Sequence, residues 1–337
     1  MALRVITGAP LPSLSRVVAP ERQPVRVAAL QLHWMPDADK HTANIREGIR
    51  LAAEAGAQIV FLPELTLSRY MADVRPEGLP RASAESLTDG PTLALAAAAA
   101  REHGIWIHAS LFESVELADG RGYNTAILVD PAGKLHGRTR KLHIPVTAGY
   151  YEDEYFAAGP DNDPYPVYDV TAGPTPLKLG MPTCWDEWFP EVARAYSLAG
   201  AEVLVYPTAI GSEPDHPEFD TAPLWRHVIT ANGINSGTFM VVPNRWGNEG
   251  LLDFYGSSFI SDPYGRVLVE AGRAEDAVLV ADLDLDQRRD WLDLFPFLAT
   301  RRPDTYADLA QPVANPRGTD GKGVDGGIAG VNSNGTA

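Results

Sequence analysis

The chain has 337 residues, of which 45% are hydrophobic and 21% charged, and this composition is typical of a globular protein that can bury a substantial core. Its formal net charge is -16, whereas nucleic acids and anionic membranes bind basic surfaces, so the composition disfavours both as partners. No apolar run approaches the roughly 18 residues of a membrane-spanning helix. The single cysteine fits a reducing compartment, and we expect a cytoplasmic protein.

The two ends of the chain differ in composition from the middle. Residues 1–24 carry three arginines against a single acid, with several prolines and serines, and they predict a flexible N-terminal arm. Residues 311–337 are rich in glycine and poor in apolar side chains, which predicts a disordered tail. Residues 25–310 contain neither an internal repeat nor a linker, so we expect them to form a single domain.

Strand and helix signals interleave along this domain. The predicted strands are 25–31, 58–62, 105–112, 123–129, 176–183, 202–206, 238–243, 259–261, 267–270 and 278–282. The predicted helices are 44–55, 91–103, 189–199 and 224–235. Hairpin turns at 130–133 and 262–265 indicate mixed rather than purely parallel sheets. The pattern predicts an α/β fold, a four-layer α-β-β-α sandwich in which helices cover two packed mixed sheets.

Cys184 is the first candidate for chemistry, because it lies where a predicted strand gives way to a predicted helix. The partial positive charge of amides at a helix N-terminus favours a thiolate over a thiol, so this position suits a nucleophile. A lone cysteine is more often a buried structural residue, and it cannot form an intrachain disulfide or a multi-cysteine metal site. A catalytic interpretation therefore needs partners elsewhere in the chain.

Charged residues that follow other predicted strands provide such partners. Glu64 comes directly after Pro63, which ends regular pairing, and Lys141 lies in a basic stretch. Taken alone, Glu64 is explained as a solvated strand end and Lys141 as part of a basic surface strand. Together with a thiol, a carboxylate supplies a base and a lysine stabilises a developing oxyanion. Glu113 and Glu152 are two further acids in comparable positions.

These residues resemble the motifs of the nitrilase, or carbon–nitrogen hydrolase, superfamily. Glu64 matches the glutamate of its FxPE motif, and Lys141 matches the lysine of its RKxHIP-like motif. Cys184 matches the cysteine of its CxDxxxPE motif. The three motifs occur in the order that the superfamily shows, and the resemblance covers residues 25–306. It implies the same nitrilase-like four-layer fold.

One branch of the superfamily is especially similar. Residues 184–191 (CWDEWFPE), 206–214 (YPTAIGSEP) and 254–259 (FYGSSF) resemble the N-carbamoylputrescine amidases. The second active-site glutamate of that branch falls on Glu152. Trp246 stands where these enzymes usually carry isoleucine, which changes the expected volume of the pocket.

The resemblance implies a cysteine-dependent amidohydrolase that needs neither a metal nor an organic cofactor. Glu64 is expected to take the thiol proton, so that Cys184 attacks a carbonyl or ureido carbon. Lys141 and the backbone N–H of Trp185 are expected to hold the resulting oxyanion. Glu152 is expected to hold the lysine in place or to orient the substrate.

Acids near the cysteine favour a small-molecule substrate with a positive tail. Relatives that act on N-carbamoyl amino acids carry arginine shortly after the cysteine, where this chain has Asp186 and Glu187. An acid repels a carboxylate and attracts an ammonium group. We therefore expect N-carbamoylputrescine, or a similar ureido or amide compound, to be hydrolysed to amine, carbon dioxide and ammonia. The expected substrate-contacting residues are Trp185, Glu187, Glu113, Tyr206, Glu213 and Trp246.

Other interpretations stay open. The same catalytic residues would serve an N-carbamoyl-β-alanine amidohydrolase, an aliphatic amidase or a nitrilase, and a non-catalytic binding module is a further alternative. Exposure to solvent is the ordinary explanation for the acids among the substrate-contacting residues, and core packing for the aromatic residues. The resemblance also implies a homo-oligomer, with residues 284–306 as part of the contact surface.

Overall fold

A computed structural model describes residues 3–311 of the protein. The described chain up to Leu298 forms one compact unit, whereas the sequence predicted a domain that runs to residue 310. The second unit begins at Ala299 and contains two short 3-10 turns, Pro303–Thr305 and Ala307–Ala310. The predicted disordered tail, apart from its first residue, lies outside the described residues.

The first unit alternates strands with helices, as its apolar periodicity predicts. Its strands are β1 (Arg4–Thr7), β2 (Val25–Gln31), β3 (Ile59–Phe61), β4 (Trp106–Glu113), β5 (Tyr123–Val129), β6 (Leu135–Arg140), β7 (Val167–Ala172), β8 (Thr175–Gly180), β9 (Val203–Val205), β10 (Phe239–Val242), β11 (Trp246–Asn248), β12 (Asp253–Tyr255), β13 (Phe259–Ser261), β14 (Val267–Glu270) and β15 (Ala277–Leu283). Its helices are α1 (Ala38–Glu54), α2 (Pro91–His103), α3 (Pro190–Leu198), α4 (Ala222–Ser236) and α5 (Asp286–Leu294). Short 3-10 turns occur at Met71–Asp73, Pro80–Ser83, Glu152–Glu154 and Cys184–Trp188.

These strands form two large sheets and one small one. The larger sheet has the order β1-β15-β2-β3-β4-β5-β6, and the second has the order β14-β13-β10-β9-β8-β7. Both are mixed: β2, β3 and β4 run parallel while β5 and β6 are antiparallel to their neighbours, and β8, β9 and β10 run parallel between antiparallel edges. A two-stranded ribbon, β11-β12, stands apart from both.

Alternating side chains assign the two faces of each sheet to different layers. On β2, Val27 and Ala29 face the second sheet, while Ala28 and Leu30 pack against α1 and α2. The second sheet repeats this arrangement, because its outward residues pack against α3 and α4. Full burial of one aliphatic side chain stabilises the fold by about 1.5–3 kcal/mol, so these three apolar layers hold the sandwich together. The predicted four-layer α-β-β-α fold is confirmed.

The N-terminal segment is not the flexible arm that its composition predicted. β1 pairs in parallel with β15 and forms the edge of the larger sheet. Arg16 forms ion pairs with Asp284 (2.8 Å) and Asp290 (2.7 Å). Arg22 does the same with Glu202, directly before β9, and with Asp286 of α5. The arginines therefore fix this segment to acidic groups distant in the sequence, which composition alone does not reveal.

Three segments that matter for chemistry leave strands at one place in the fold. β3 ends at Phe61, shortly before Glu64, and β6 ends at Arg140, directly before Lys141. β8 ends at Gly180, four residues before Cys184, in the facing sheet. In the described part of the chain, no helix has the length and apolar character that crossing a bilayer requires.

Candidate active site

Glu64 is held in a buried turn after β3. Its side chain is fully buried, and Oε1 accepts hydrogen bonds from Asn124 Nδ2 (2.7 Å) and Lys141 Nζ (2.9 Å). Oε2 has no hydrogen-bond partner among the described residues. The next residue, Leu65, has a φ of 49°, a left-handed conformation that costs a non-glycine residue roughly 1–2 kcal/mol. One carboxylate oxygen is thus fixed, and the other is open to accept a proton.

Lys141 lies between two carboxylates. Its Nζ donates to Glu64 Oε1 and to Glu152 Oε2 (2.6 Å), and its side chain is fully buried. Burial lowers the pKa of Lys141, but its acidic neighbours Cys184, Glu152 and Glu64 outweigh burial and raise that pKa well above the usual value. The lysine therefore stays an ammonium ion at neutral pH.

Glu152 begins the 3-10 turn that follows β6 in the chain. Tyr70 donates its hydroxyl to Glu152 Oε1 (2.8 Å), and Lys141 occupies Oε2. Burial, together with the charge of Glu64, raises the pKa of Glu152 to about 7, although Lys141 and Tyr70 act in the opposite direction. Both oxygens of Glu152 are engaged, so it holds the lysine and has no oxygen free to act as a base.

Cys184 sits on a strained turn that follows β8 of the second sheet. Its φ is 44°, its N–H donates to Pro207 O (3.1 Å), and only 5% of its surface is exposed. Pro182 has no N–H, which agrees with the end of β8 at Gly180. The element after the cysteine is the 3-10 turn Cys184–Trp188, and α3 begins only at Pro190.

This geometry corrects the expected state of the sulfur. The sequence placed Cys184 at a helix N-terminus, which favours a thiolate. Burial instead raises the pKa of the Cys184 thiol well above its usual value, and the charges of Glu64 and Glu187 add to burial while Lys141 opposes it. The resting enzyme therefore holds a thiol, and a base is needed to remove its proton.

Asp186 ties the cysteine turn to the lysine segment. Its Oδ2 accepts the N–H of Thr183 (3.1 Å), and its Oδ1 accepts the N–H and Nδ1 of His143 (2.9 and 2.7 Å). Its carboxylate therefore joins the residue before Cys184 to the second residue after Lys141. Lys141 is hydrogen-bonded to both Glu64 and Glu152, and the charges of these three groups act on the pKa of the Cys184 thiol, so the four side chains lie in one neighbourhood. His143 serves this structural purpose and also stacks on Phe189 (3.7 Å between ring centroids).

Glu187 is buried next to this group and does not face solvent. It is 0% exposed, and its Oε1 accepts a hydrogen bond from Trp225 Nε1 (2.7 Å). Oε2 has no partner among the described residues. Burial, with the charge of Glu64, raises the pKa of Glu187 well above its usual value despite opposing effects of Trp225 and Lys141. Burial therefore favours the protonated form of Glu187 in the free enzyme. Trp185, on the same turn, is half-buried.

The remaining predicted contacts fall into different places. Glu213 is half-buried. Burial raises the pKa of Tyr150, and the charges of Glu213 and Cys184 raise that pKa further, so both groups lie near Tyr150. Trp246 is half-buried, donates Nε1 to Asp276 Oδ1 (2.8 Å), and lines a cavity of about 470 Å³. Tyr206 is fully buried in the layer of α3 and α4, so its ring is core rather than pocket wall.

Glu113 is not placed to contact a substrate, contrary to the sequence prediction. Its Oε2 accepts hydrogen bonds from Arg140 Nε and Thr125 Oγ1 (2.7 Å each), and Oε1 is paired with arginines as well. Both oxygens are therefore saturated. Because Arg140 directly precedes Lys141, this pair fixes the end of β6.

The sequence analysis missed several residues that build the site. Asn124 orients the base, and Tyr70 orients Glu152. Asn124 had a recognisable signal, since an amide inside an apolar strand must find buried partners. Tyr70 had none, because its role depends on contacts distant in the chain. Within residues 3–311, no group of three or more His, Cys, Asp or Glu side chains could hold a metal ion.

The sequence matches a known protein family. The sequence profile of the family described as carbon-nitrogen hydrolase covers residues 26–293. The chain belongs to the carbon–nitrogen hydrolase family. This confirms the resemblance that the motifs around Glu64, Lys141 and Cys184 indicated, and it makes the protein an amidohydrolase of the nitrilase superfamily.

Individual relatives of this hydrolase are similar over nearly their whole length. An N-carbamoylputrescine amidase from Solanum lycopersicum is 36% identical over 300 residues, 87% of this chain and 97% of the relative. A citrullinase from Francisella tularensis is 34% identical over 85% of this chain and 98% of its own. The crystal structure of a carbon-nitrogen hydrolase from Helicobacter pylori G27 matches with a TM-score of 0.75 and 28% identity, covering 86% of this chain and 99% of that one.

Proposed function

We propose that this hydrolase cleaves an N-carbamoyl amine of the N-carbamoylputrescine type to amine, carbon dioxide and ammonia. The proposal depends mainly on one observation: Glu64, Lys141 and Glu152 are joined by hydrogen bonds inside the protein, beside the thiol of Cys184. Acyl transfer requires a nucleophile, a base and a fixed positive charge for the oxyanion, and this group contains all three.

The reaction begins with transfer of the thiol proton of Cys184 to Glu64. Burial keeps the thiol protonated, and Oε2 of Glu64 is the oxygen without a hydrogen-bond partner. The sulfur then forms a bond to the ureido carbon, and the electron pair of the C=O bond moves to oxygen. Lys141 Nζ and the backbone N–H of Trp185 stabilise this oxyanion, and the burial of Lys141 and Cys184 strengthens the electrostatic attraction.

The second half of the reaction returns the enzyme to its starting state. Glu64 gives its proton to the departing nitrogen, and the C–N bond breaks. Ammonia departs, and a carbamoyl thioester remains on Cys184. Water then adds to the carbon while Glu64 takes one of its protons. The C–S bond breaks, the sulfur regains a proton, and the released carbamic acid decomposes to amine and carbon dioxide.

The proposed specificity depends on acids around the thiol. Glu187 is buried beside it, and Glu213 is half-buried near Tyr150. An ammonium group that binds beside Glu187 favours the ionised carboxylate, so we expect substrate binding to release the proton that burial holds there. A carboxylate in the same place opposes that ionisation and keeps Glu187 protonated, so it gains no ion pair with Glu187. This supports a cationic tail over an anionic one.

The similarity to a citrullinase supports a second candidate substrate class. Citrulline carries the same ureido group and an ammonium group, but it adds a carboxylate on the tail. The acids Glu187 and Glu213 disfavour that carboxylate, and we therefore rank carbamoyl diamines first.

Ammonia release from three ureido compounds tests the proposal. Purified enzyme is assayed with N-carbamoylputrescine, citrulline and N-carbamoyl-β-alanine, with Cys184→Ser as the inactive control. We expect kcat/KM for the carbamoyl diamine to exceed that for the β-alanine derivative by at least about 100-fold, because opposite tail charges change binding by several kcal/mol. A preference for the β-alanine derivative contradicts the assignment of the tail site.

We also propose that the enzyme is a cytoplasmic homo-oligomer. Leu294 and Phe295, at the end of α5, are 57% and 46% exposed, so two adjacent large apolar side chains face solvent there. Light scattering on Leu294→Glu and wild type measures the effect: a smaller mass for the variant supports the proposal, and a monomeric wild type contradicts it.

A further inference from the structure

A second buried ion pair lies beside the catalytic group. Arg245 and Glu249 are 3% and 4% exposed, and Arg245 Nη1 donates to both carboxylate oxygens of Glu249 (2.9 and 2.7 Å). Burying two charges costs several kcal/mol, and apolar residues of similar size often stabilise a fold as well or better. The pair therefore calls for an explanation beyond stability, and its other contacts supply one.

Arg245 holds the turn that carries the base. Its Nη2 donates to the backbone carbonyls of Glu64 (2.9 Å), Leu65 (3.1 Å) and Ser68 (3.1 Å). Leu65 is the residue whose left-handed φ strains this turn, so the turn needs an external restraint to keep its shape. A single guanidinium group thus fixes three successive parts of the turn without touching the Glu64 carboxylate.

Glu249 is linked to Glu152 through Tyr70. Its Oε2 accepts the backbone N–H of Tyr70 (2.9 Å), and the Tyr70 hydroxyl donates to Glu152 Oε1 (2.8 Å). Glu152 in turn holds Lys141 (2.6 Å). One ion pair is therefore connected to both carboxylates that flank the lysine, in each case through the backbone of the segment between residues 64 and 70.

We propose that Arg245 and Glu249 are positioning residues that set the orientation of the Glu64 carboxylate towards the thiol of Cys184. This inference rests on the proposed function of Glu64 as the base. A displacement of about 1 Å in a reacting group can lower a rate by about 100-fold, so a pair that holds the turn affects turnover while leaving substrate binding intact.

The variant Arg245→Lys tests the proposal. Lysine keeps the positive charge, but one ammonium group cannot serve Glu249 and three carbonyls at once. We expect kcat to fall by about 10- to 100-fold while KM changes by less than about threefold. Alkylation of Cys184 by iodoacetamide should slow by a similar factor, and this readout does not depend on the identity of the substrate.

A matched control separates positioning from loss of stability. Arg266 and Asp262 form another i,i+4 ion pair, with Asp262 fully buried, in the hairpin between β13 and β14 and outside the site. Arg266→Lys should lower the melting temperature and leave kcat unchanged for the folded enzyme. Glu249→Gln is the second test variant, and we expect kcat to fall by about tenfold. If neither test variant folds, the pair is a folding element and the proposal is overturned.

A double-mutant cycle decides whether Arg245 acts through Glu64. In a Glu64→Gln background, Arg245→Lys should slow Cys184 alkylation by less than about twofold further, because the group that it positions is already disabled. Independent, multiplicative losses overturn the positioning role. If Glu64→Gln itself leaves turnover intact, the proposed function fails instead, so the two failures are distinguishable.

Discussion

The two halves of the active site, one beside each sheet, differ in how their polar groups are stabilised. Beside the larger sheet, hydrogen bonds join Glu64, Lys141 and Glu152 into one charged group. In the facing half, burial raises the pKa of both Cys184 and Glu187, and Glu187 Oε2 has no partner among the described residues. The first half holds its charges before substrate arrives, and burial keeps the second half neutral.

The difference shows where the protons must move. A neutral thiol is a weak nucleophile, so the reaction can start only when a proton crosses from the second half to the first. Oε2 of Glu64 has no partner and can receive it. In the proposed reaction, a tail ammonium beside Glu187 favours the loss of a second proton, from the acid that burial keeps protonated. Both steps create negative charge in the half that starts without it.

Replacing the nucleophile of the second half should have the largest effect on turnover. Cys184→Ser puts an alcohol of much higher pKa in a site that already opposes ionisation. We expect kcat to fall by about 10,000-fold or more. Ammonia release measures it, and circular dichroism checks the fold. Turnover within about tenfold of wild type contradicts the assignment of Cys184.

Removing the base breaks the first half and should cost less. Glu64→Gln keeps the size of the side chain but cannot take a proton, so kcat should fall by about 1,000-fold. Asp262→Asn is the control, since that buried acid pairs with Arg266 in the hairpin between β13 and β14, outside the site. It should lower thermal stability but keep turnover within about threefold of wild type. Equal losses in both variants show that general damage, not loss of the base, is being measured.

Removing the hydrogen bond from Tyr70 to Glu152 should have an intermediate effect on turnover. The Tyr70 hydroxyl lowers the pKa of Glu152, so Tyr70→Phe should raise that pKa above about 7 and move the acid limb of kcat to higher pH. At neutral pH we expect turnover to fall by about tenfold. Tyr155→Phe is the control, because its hydroxyl donates to Val74 O. An unchanged pH profile in Tyr70→Phe rules out the role given to Glu152.

The smallest effect on turnover is expected at the buried acid of the second half, where the measured quantity is stability. Because burial raises the pKa of Glu187, the folded protein keeps a proton that the unfolded chain releases above about pH 4.5. The folded state binds more protons, so wild-type stability falls as pH rises, by up to about 1.4 kcal/mol per pH unit. Glu187→Gln keeps an acceptor for Trp225 and lacks this penalty.

Thermal unfolding at several pH values measures this effect. The melting temperature of Glu187→Gln relative to wild type should rise between about pH 5 and about pH 8. The exposed Glu191→Gln serves as control and should show a constant difference. A constant difference for Glu187→Gln would mean that this carboxyl is already ionised in the folded enzyme.

Local sequence patterns predicted the layers of the fold better than its margins. Apolar runs such as 25–31 and 202–206 must be buried on both faces, and that requirement predicts central strands. β7 was not predicted, because it is a partly exposed edge strand that contains Asp169. The N-terminal strand was not predicted either. Its stability comes from pairing with β15 and from ion pairs with residues distant in the sequence, and a local pattern does not reveal such contacts.

The same limit applies to the site. Glu64, Lys141 and Cys184 were predictable because each lies in a short motif after a strand. The saturation of Glu113 by Arg140 and the contact of Arg245 with the base turn depend on tertiary packing. The protonation state of the thiol also depends on burial, and a strand-to-helix pattern does not determine burial.

The thiolate absorbance of the resting enzyme tests the central claim most directly. Cys184 is the single cysteine of the chain, so the far-ultraviolet difference spectrum between wild type and Cys184→Ser reports on that sulfur alone. If burial holds the thiol until Glu64 takes its proton, the difference spectrum at neutral pH should contain no thiolate band. A full thiolate band at neutral pH would show that the sulfur is already ionised and would contradict the account.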